Sequence, residues 1–154
     1  MTLLHMSINA HDPQRVSEFL ARILGGEALP FPPFPDCWIA FAGSDDGTAI
    51  EVYPLTHQLV AGVDQVECRV GGERAEPTFA HIALATPMPA DEVITRAGDE
   101  GWPARTCNRG PFQCVEIWIE DRLLIEVLDP KMRADYRAGM TVRNWRAMFG
   151  MNTQ

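Results

Sequence analysis

Two stretches of this chain repeat one arrangement of an imidazole and a carboxylate, each group set inside an apolar run. His5 precedes Glu51 by 46 residues, and His81 precedes Glu126 by 45. The runs are LLHMSINA, TAIEVYP, FAHIALA and LLIEVLDP. An unpaired carboxylate buried in an apolar strand is costly, so each glutamate demands a partner. Taken singly, a histidine in such a strand is more often a hydrogen-bonded core residue, and a glutamate more often answers an arginine. Recurrence of both in matching contexts points instead to a divalent-metal site built from a duplicated module.

The duplication extends to local structure. Gapless alignment on the two histidines sets Pro13 against Pro89 and Gly25 against Gly101, all 76 positions apart. In the first half, residues 3–10 alternate, with Leu4, Met6, Ile8 and Ala10 on one face and Leu3, His5, Ser7 and Asn9 on the other. Asp12 caps a following helix, Pro13 suits its first turn, and Gly25 stops it. Between them Val16, Phe19, Leu20, Ile23 and Leu24 fall on one helical face. PFPPFPD is too rich in proline for a central strand and reads as a loop or an edge. CWIAFA and TAIEVYP then form a hairpin across GSDDG. The second half repeats the plan, with a weaker helix near 90–100 (Val93, Ile94, Ala97) and a closing hairpin, CVEIWIE and RLLIEVL, around Asp121–Arg122.

The fold class is therefore α+β: two βαβββ modules, the first at about 1–54 and the second at about 79–130. Residues 55–78 form a linker with one short strand, VECRV, and neither half is large enough to bury its sheet alone. Residues 131–154 form a helical tail of one or two short helices, whose Met132, Tyr136, Met140, Trp145, Met148 and Phe149 dock on the body; simple packing is favoured over a lid or dimer contact. The tail carries +4 and the body −12 of the net −8. A solvated basic face explains that tail as well as a contact with an acidic surface. The acidic total argues against nucleic-acid binding, which needs a basic surface to displace counterions. The longest apolar stretches are strand-sized, which excludes a membrane span by a helix. The start lacks the features of a signal peptide, which predicts cytoplasmic residence. Cys37, Cys68, Cys107 and Cys114 show no metal or redox spacing and read as reduced packing residues.

Pleat geometry sharpens the site. The neighbours of each candidate are apolar and face the helices: Leu4 and Met6, Ile50 and Val52, Ala80 and Ile82, Ile125 and Val127. His5, Glu51, His81 and Glu126 thus point from the opposite face toward a common concavity. Two imidazoles and two carboxylates suit Zn, Ni, Co, Mn or Fe(II), one ion per site, with water or substrate completing the shell. Ser7, Asn9, Trp38, Phe112 and Trp118 are the pocket candidates, although aromatic residues in strands more often only fill a core. The loop NRGPFQ (108–113) reads as a connector rather than a lid. His11 and His57 have no repeat partners and read as surface loop residues.

With its paired βαβββ plan and its His/Glu/His/Glu set, residues 3–130 resemble the vicinal oxygen chelate superfamily of glyoxalases, bleomycin-resistance proteins and extradiol dioxygenases. The opening LLHMSINAHDPQRVSEFLARILGG is most similar to bacterial glyoxalase I-like proteins. The resemblance implies one glyoxalase-like domain (1–130) shaped as a half-barrel around a metal, often in a homodimer that shares sites. It implies His5, Glu51, His81 and Glu126 as ligands. It further implies a metal-dependent isomerase, lyase or epimerase acting on a small oxygen-chelating substrate through an enediolate. Glu126 is the first choice of base and Glu51 the alternative. Asn9 stands where glyoxalase I usually has an arginine for the glutathione carboxylate, and VYPL after Glu51 lacks the polar contact expected there. Glu120–Asp121–Arg122 replaces the Asp-Pro-Asp-Gly turn of many members. These departures argue against glutathione as cosubstrate. Two further functions are carried. One is an Fe(II) extradiol-type dioxygenase on His5, His81 and Glu126, which Glu51 would crowd and for which His57 is the sole vague candidate for the additional acid/base histidine. The other is a non-catalytic small-molecule binding or resistance protein, against which the intact ligand set argues.

Overall fold

The structure, a computed structural model, describes residues 5–44, 46–61, 66–72 and 81–150. Leu4 and Ala80, read above as flanking residues, lie outside that range, as does the side chain of Trp145. The chain forms two compact units, Met1–Pro77 and Thr78–Gln154.

In the first unit, β1 (His5–Ala10) leads into α1 (Pro13–Leu24), then β2 (Ala28–Pro30), β3 (Trp38–Phe41) and β4 (Ala49–Pro54). The sheet order is β1-β4-β3-β2, with β1 parallel to β4 and the other pairs antiparallel. The helix forms where its local signals lie. Asp12 Oδ1 accepts from the Arg15 amide at 3.0 Å, and Gly25 ends the helix at φ 68°, a left-handed conformation open to glycine at little cost. Val16, Phe19, Leu20 and Ile23 are fully buried, and α1 packs on β3 and β4. Each such side chain contributes about 1.5–3 kcal/mol of hydrophobic stabilisation. Along β1 the pleat separates buried Ile8 and Ala10 from exposed His5 and Ser7, as the alternation predicts.

The segment read as a linker contains more order than VECRV alone. β5 (His57–Ala61) pairs antiparallel with β6 (Val66–Val70). His57, read as a loop residue, opens β5. Pairing with β6 makes this segment a strand; its own five residues carry too little periodicity to declare one.

The second unit repeats the connectivity: β7 (His81–Ala85), α2 (Ala90–Asp99), β8 (Ala104–Asn108), β9 (Gln113–Ile119) and β10 (Leu123–Leu128), in the order β7-β10-β9-β8. The repeat reaches individual hydrogen bonds. The Gly26 amide donates to Ala21 O at 2.9 Å, and the Trp102 amide, 76 positions on, donates to Ala97 O at 3.0 Å. Gly101 has φ 77°, matching Gly25. The β9–β10 turn is centred on Glu120 and Asp121, with φ of 52° and 54°, one residue earlier than the sequence suggests. Two left-handed residues in succession make a type I′ turn, whose twist matches that of a hairpin. Two tail helices follow, α3 (Pro130–Gly139) and α4 (Val142–Met148). Tail residues Lys131, Arg133, Arg137, Arg143 and Arg146 are all exposed. No helix among the described residues is long and apolar enough to cross a membrane.

Candidate functional site

Register places the two His–Glu pairs identically. Glu51 lies opposite Ser7, two residues beyond His5, and Glu126 lies opposite Ala83, two residues beyond His81. The one-residue difference in sequence spacing is absorbed before the fourth strand of the module. In each unit the histidine and glutamate therefore share a face of neighbouring parallel strands.

Their immediate partners differ. Glu51 Oε2 accepts from Ser7 Oγ at 2.8 Å and from Tyr53 Oη at 2.9 Å. Burial, then the bond to Glu51, pushes the Tyr53 phenol well above its ordinary range, so it stays a donor. The Tyr53 ring is held by Phe31 and Phe34, with centroids 6.1 and 5.7 Å away. The proline-dense loop thus supplies the packing that aims Tyr53 at the carboxylate. Asn9 Nδ2 donates to Pro54 O and His57 O, both at 3.0 Å, so it ties β1 to the start of β5. Trp38 pairs with Val52 and lies on the face opposite Glu51.

Glu126 is 8% exposed and meets a cation. Arg109 Nε donates to Glu126 Oε1 at 2.8 Å, and its Nη2 donates to Glu116 Oε1. Glu116, 6% exposed, is the direct cross-strand neighbour of Glu126. It also accepts from Cys107 Sγ at 2.8 Å and Arg105 Nε at 3.0 Å. The β8–β9 turn aims Arg109: Asn108 Oδ1 accepts from the Gly110 amide at 2.7 Å, and Gly110 takes φ 87°. NRGPFQ is thus a hairpin connector, and it delivers the guanidinium. Cys37 and Cys114 are buried, and burial pushes their thiols up to about 11 and about 12, so both behave as inert packing residues. Cys107 instead donates to Glu116.

Cys107 and then Arg109 hold the Glu116 carboxyl at about 2, below its ordinary 4.5. A depressed carboxyl stabilises the fold fully above 4.5, and that contribution is lost as pH falls from 4.5 towards 2. In the presence of a chelator, wild-type protein should lose on the order of 2 kcal/mol across that window through this group. Urea titrations at several pH values should show Glu116→Gln without that increment of slope; an unchanged slope would sink the assignment.

A cavity of about 390 Å³ opens in the second unit. His81, Arg109 and Glu126 form its polar end, with Ala83 beside them. Phe112, Tyr136, Met140, Met148 and Phe149 are among its other lining residues. Trp118 shares the sheet face of His81 through Leu124 but does not line this cavity. Arg109 and Glu116 escape a search by repetition because Ile39, not an acid, stands opposite Glu51. The available signal was a second glutamate inside an apolar strand, in CVEIWIE.

The donor set fits a divalent cation. Among the described residues, Glu51 and Glu126 each have one oxygen fixed by hydrogen bonds and the other without a partner, and His5 and His81 make no hydrogen bond. Outer donors that orient one carboxylate oxygen and leave the other open are typical of metal-binding carboxylates. The described residues form no group of three or more such donors; each unit by itself supplies two.

No protein-family model matches the chain, and no curated protein matches it. Solved structures do. A genomically encoded fosfomycin resistance protein, FosX, from Listeria monocytogenes is 17% identical with a TM-score of 0.55, covering 89% of this chain and 97% of its own. A lactoylglutathione lyase from Agrobacterium tumefaciens is 16% identical with a TM-score of 0.56, covering 84% and 94%. The trypanothione-dependent glyoxalase I of Leishmania major is 15% identical with a TM-score of 0.53, covering 99% of both chains. These identities speak to fold. The chain has the fold of these glyoxalase, lyase and fosfomycin-resistance structures.

Proposed function

We propose that the protein is a metal-dependent enzyme of the isomerase, lyase or epimerase type, acting on a small molecule with neighbouring oxygens. The observation that carries this reading is the lining of the 390 Å³ cavity, where His81 stands with Glu126, whose second oxygen has no partner among the described residues, and with Arg109 beside apolar side chains. The same His–Glu pair recurs in register in the other unit. His5 and Glu51 supply half of the ligand set and His81 and Glu126 the other half, from one chain or from the two chains of a homodimer. When bound, a divalent ion polarises a substrate carbonyl and lowers the cost of negative charge on its oxygen. Glu126 takes the proton from the adjacent carbon, with Glu51 the other carboxylate able to do so. Arg109 fixes Glu126 Oε1, which leaves the other oxygen to act as base. Phe112, buried against Tyr136, shields one side of the cavity from water, which strengthens polar contacts there. The names of the similar structures, a lyase and a glyoxalase among them, support this reaction class.

Metal content tests the proposal. Protein purified without a histidine tag should carry about one divalent ion per chain. After chelation, added Ni, Zn, Co, Mn or Fe(II) should raise the melting temperature by several degrees, as expected for a ligand at a hundred times its Kd. His5→Ala and His81→Ala should each remove the shift. Protein that neither contains nor responds to any of these ions would refute the proposal. Oxygen uptake with catechols in the Fe(II) sample would move the reaction class to a dioxygenase.

A further inference from the structure

The C-terminal tail does more than cover a surface. Asp129 Oδ1 caps α3 by accepting from the Met132 amide at 2.8 Å, and Met132 is buried. The other end of α3 meets the β8–β9 turn at Gly139. A Cβ there would stand 2.8 Å from Pro111 Cβ and 3.1 Å from its carbonyl oxygen, so only glycine permits this approach. Tyr136 meets Phe112 edge to face at 4.7 Å. The turn that carries Arg109 is thus also the seat of α3.

The chain then turns back. Asn144 Nδ2 donates to Ala138 O at 2.9 Å and Gly139 O at 3.2 Å, which fastens α4 to the end of α3. That fold-back brings Met148 and Phe149 to the cavity wall. They are 50% and 55% exposed, two of the large apolar side chains that the described residues leave open to water. Methionines and an aromatic ring around a cavity make an adaptable apolar wall, and it is continuous with His81 and Glu126.

We infer that the tail builds the substrate's apolar subsite, and that the substrate is an amphiphile with an oxygen-chelating head at His81 and Glu126 and an alkyl or aromatic end against Met140, Met148 and Phe149. This rests on the preceding reading of His81 and Glu126 as the chelating end. The cavity falls in the usual range for small-molecule sites. A phenyl ring or a hexyl chain would lie against side chains that are otherwise half in water.

Alkyl hydroxamates from aceto- to hexanohydroxamate keep one bidentate oxygen head and lengthen only the apolar end. On stoichiometrically nickel-loaded, desalted protein, calorimetry should show Kd tightening about 3- to 4-fold per methylene until the compartment is full. In Met148→Ser and Phe149→Ser, the ratio of aceto- to hexanohydroxamate Kd should fall about tenfold at unchanged melting temperature; both sites are half exposed, so the fold tolerates them. The same series in EDTA isolates the apolar end. Length dependence there supports the subsite even if acetohydroxamate shows no metal-dependent binding, an outcome that would instead overturn the chelating reading. A flat series in both conditions, or a ratio unchanged in both variants, overturns the subsite. Should light scattering show the variants only losing oligomeric mass, Met148 and Phe149 belong to self-association and the inference fails.

Discussion

Arg109→Met should lower the unfolding free energy by about 3 kcal/mol, the low end for removing one partner from a buried ion pair, because its side chain is 32% exposed while both carboxylates are buried. Glu116 and Glu126 are direct cross-strand neighbours with less than a tenth of their surface exposed. Like charges in that position repel and lack water to screen them. One guanidinium donates to both, and being shared, its loss strands two carboxylates at once. Urea unfolding of wild type and variant at neutral pH, with chelator present, measures the effect. Adding Glu116→Gln to Arg109→Met should restore part of it, because the remaining amide carries no charge. Arg105→Met is the control. Its side chain is 75% exposed while it bonds the same Glu116, so it should cost less than about 1 kcal/mol. Equal losses from the two arginines would show that Arg109 has no bridging role.

The second large effect concerns turnover. Glu126→Gln should slow proton transfer by about 10²–10⁴-fold, the range for loss of a positioned general base. Deuterium incorporation from D2O into 2-hydroxy ketones and thiol hemithioacetals of phenylglyoxal, followed by NMR on metal-loaded protein, reads that step directly and works without the natural substrate. Glutamine preserves shape and the hydrogen bond from Arg109 but does not accept the proton. Metal content of the same sample separates the two roles of the side chain: exchange lost with metal retained identifies the base. Exchange lost together with the metal identifies a ligand, and Glu51→Gln must then carry the loss at retained metal. Undiminished exchange in Glu126→Gln would remove it from the mechanism.

Much of this architecture is legible from local signals. Asp12, Pro13 and Gly25 mark one helix, and their counterparts Pro89 and Gly101 the other, because capping and left-handed stops act within a single turn. Alternation in HMSINA and HIALA assigns His5 and His81 to the polar face, because the pleat has a period of two. Less legible are β2, β5 and β8, edge or hairpin strands whose residues show little alternation and which exist through pairing. The charge cluster around Glu116 is hidden for another reason. Repetition points to the four His and Glu positions, and Glu116 faces Glu126 where Ile39 faces Glu51, so the cluster is where the two modules differ. Tyr53 escapes likewise, since its hydroxyl reaches Glu51 only once Phe31 and Phe34 pack its ring.

By itself, the sequence determined the module, its duplication and the face on which each of the four candidate ligands lies. Tertiary structure alone decided what those groups touch: hydroxyls of Ser7 and Tyr53 on Glu51, a guanidinium on Glu126, and a tail that completes the cavity beside His81. The division has a simple cause. A side chain's face follows from its own strand's dihedral angles. Its neighbours follow from register, turn geometry and the reach of long side chains from distant segments, none of which a local pattern records.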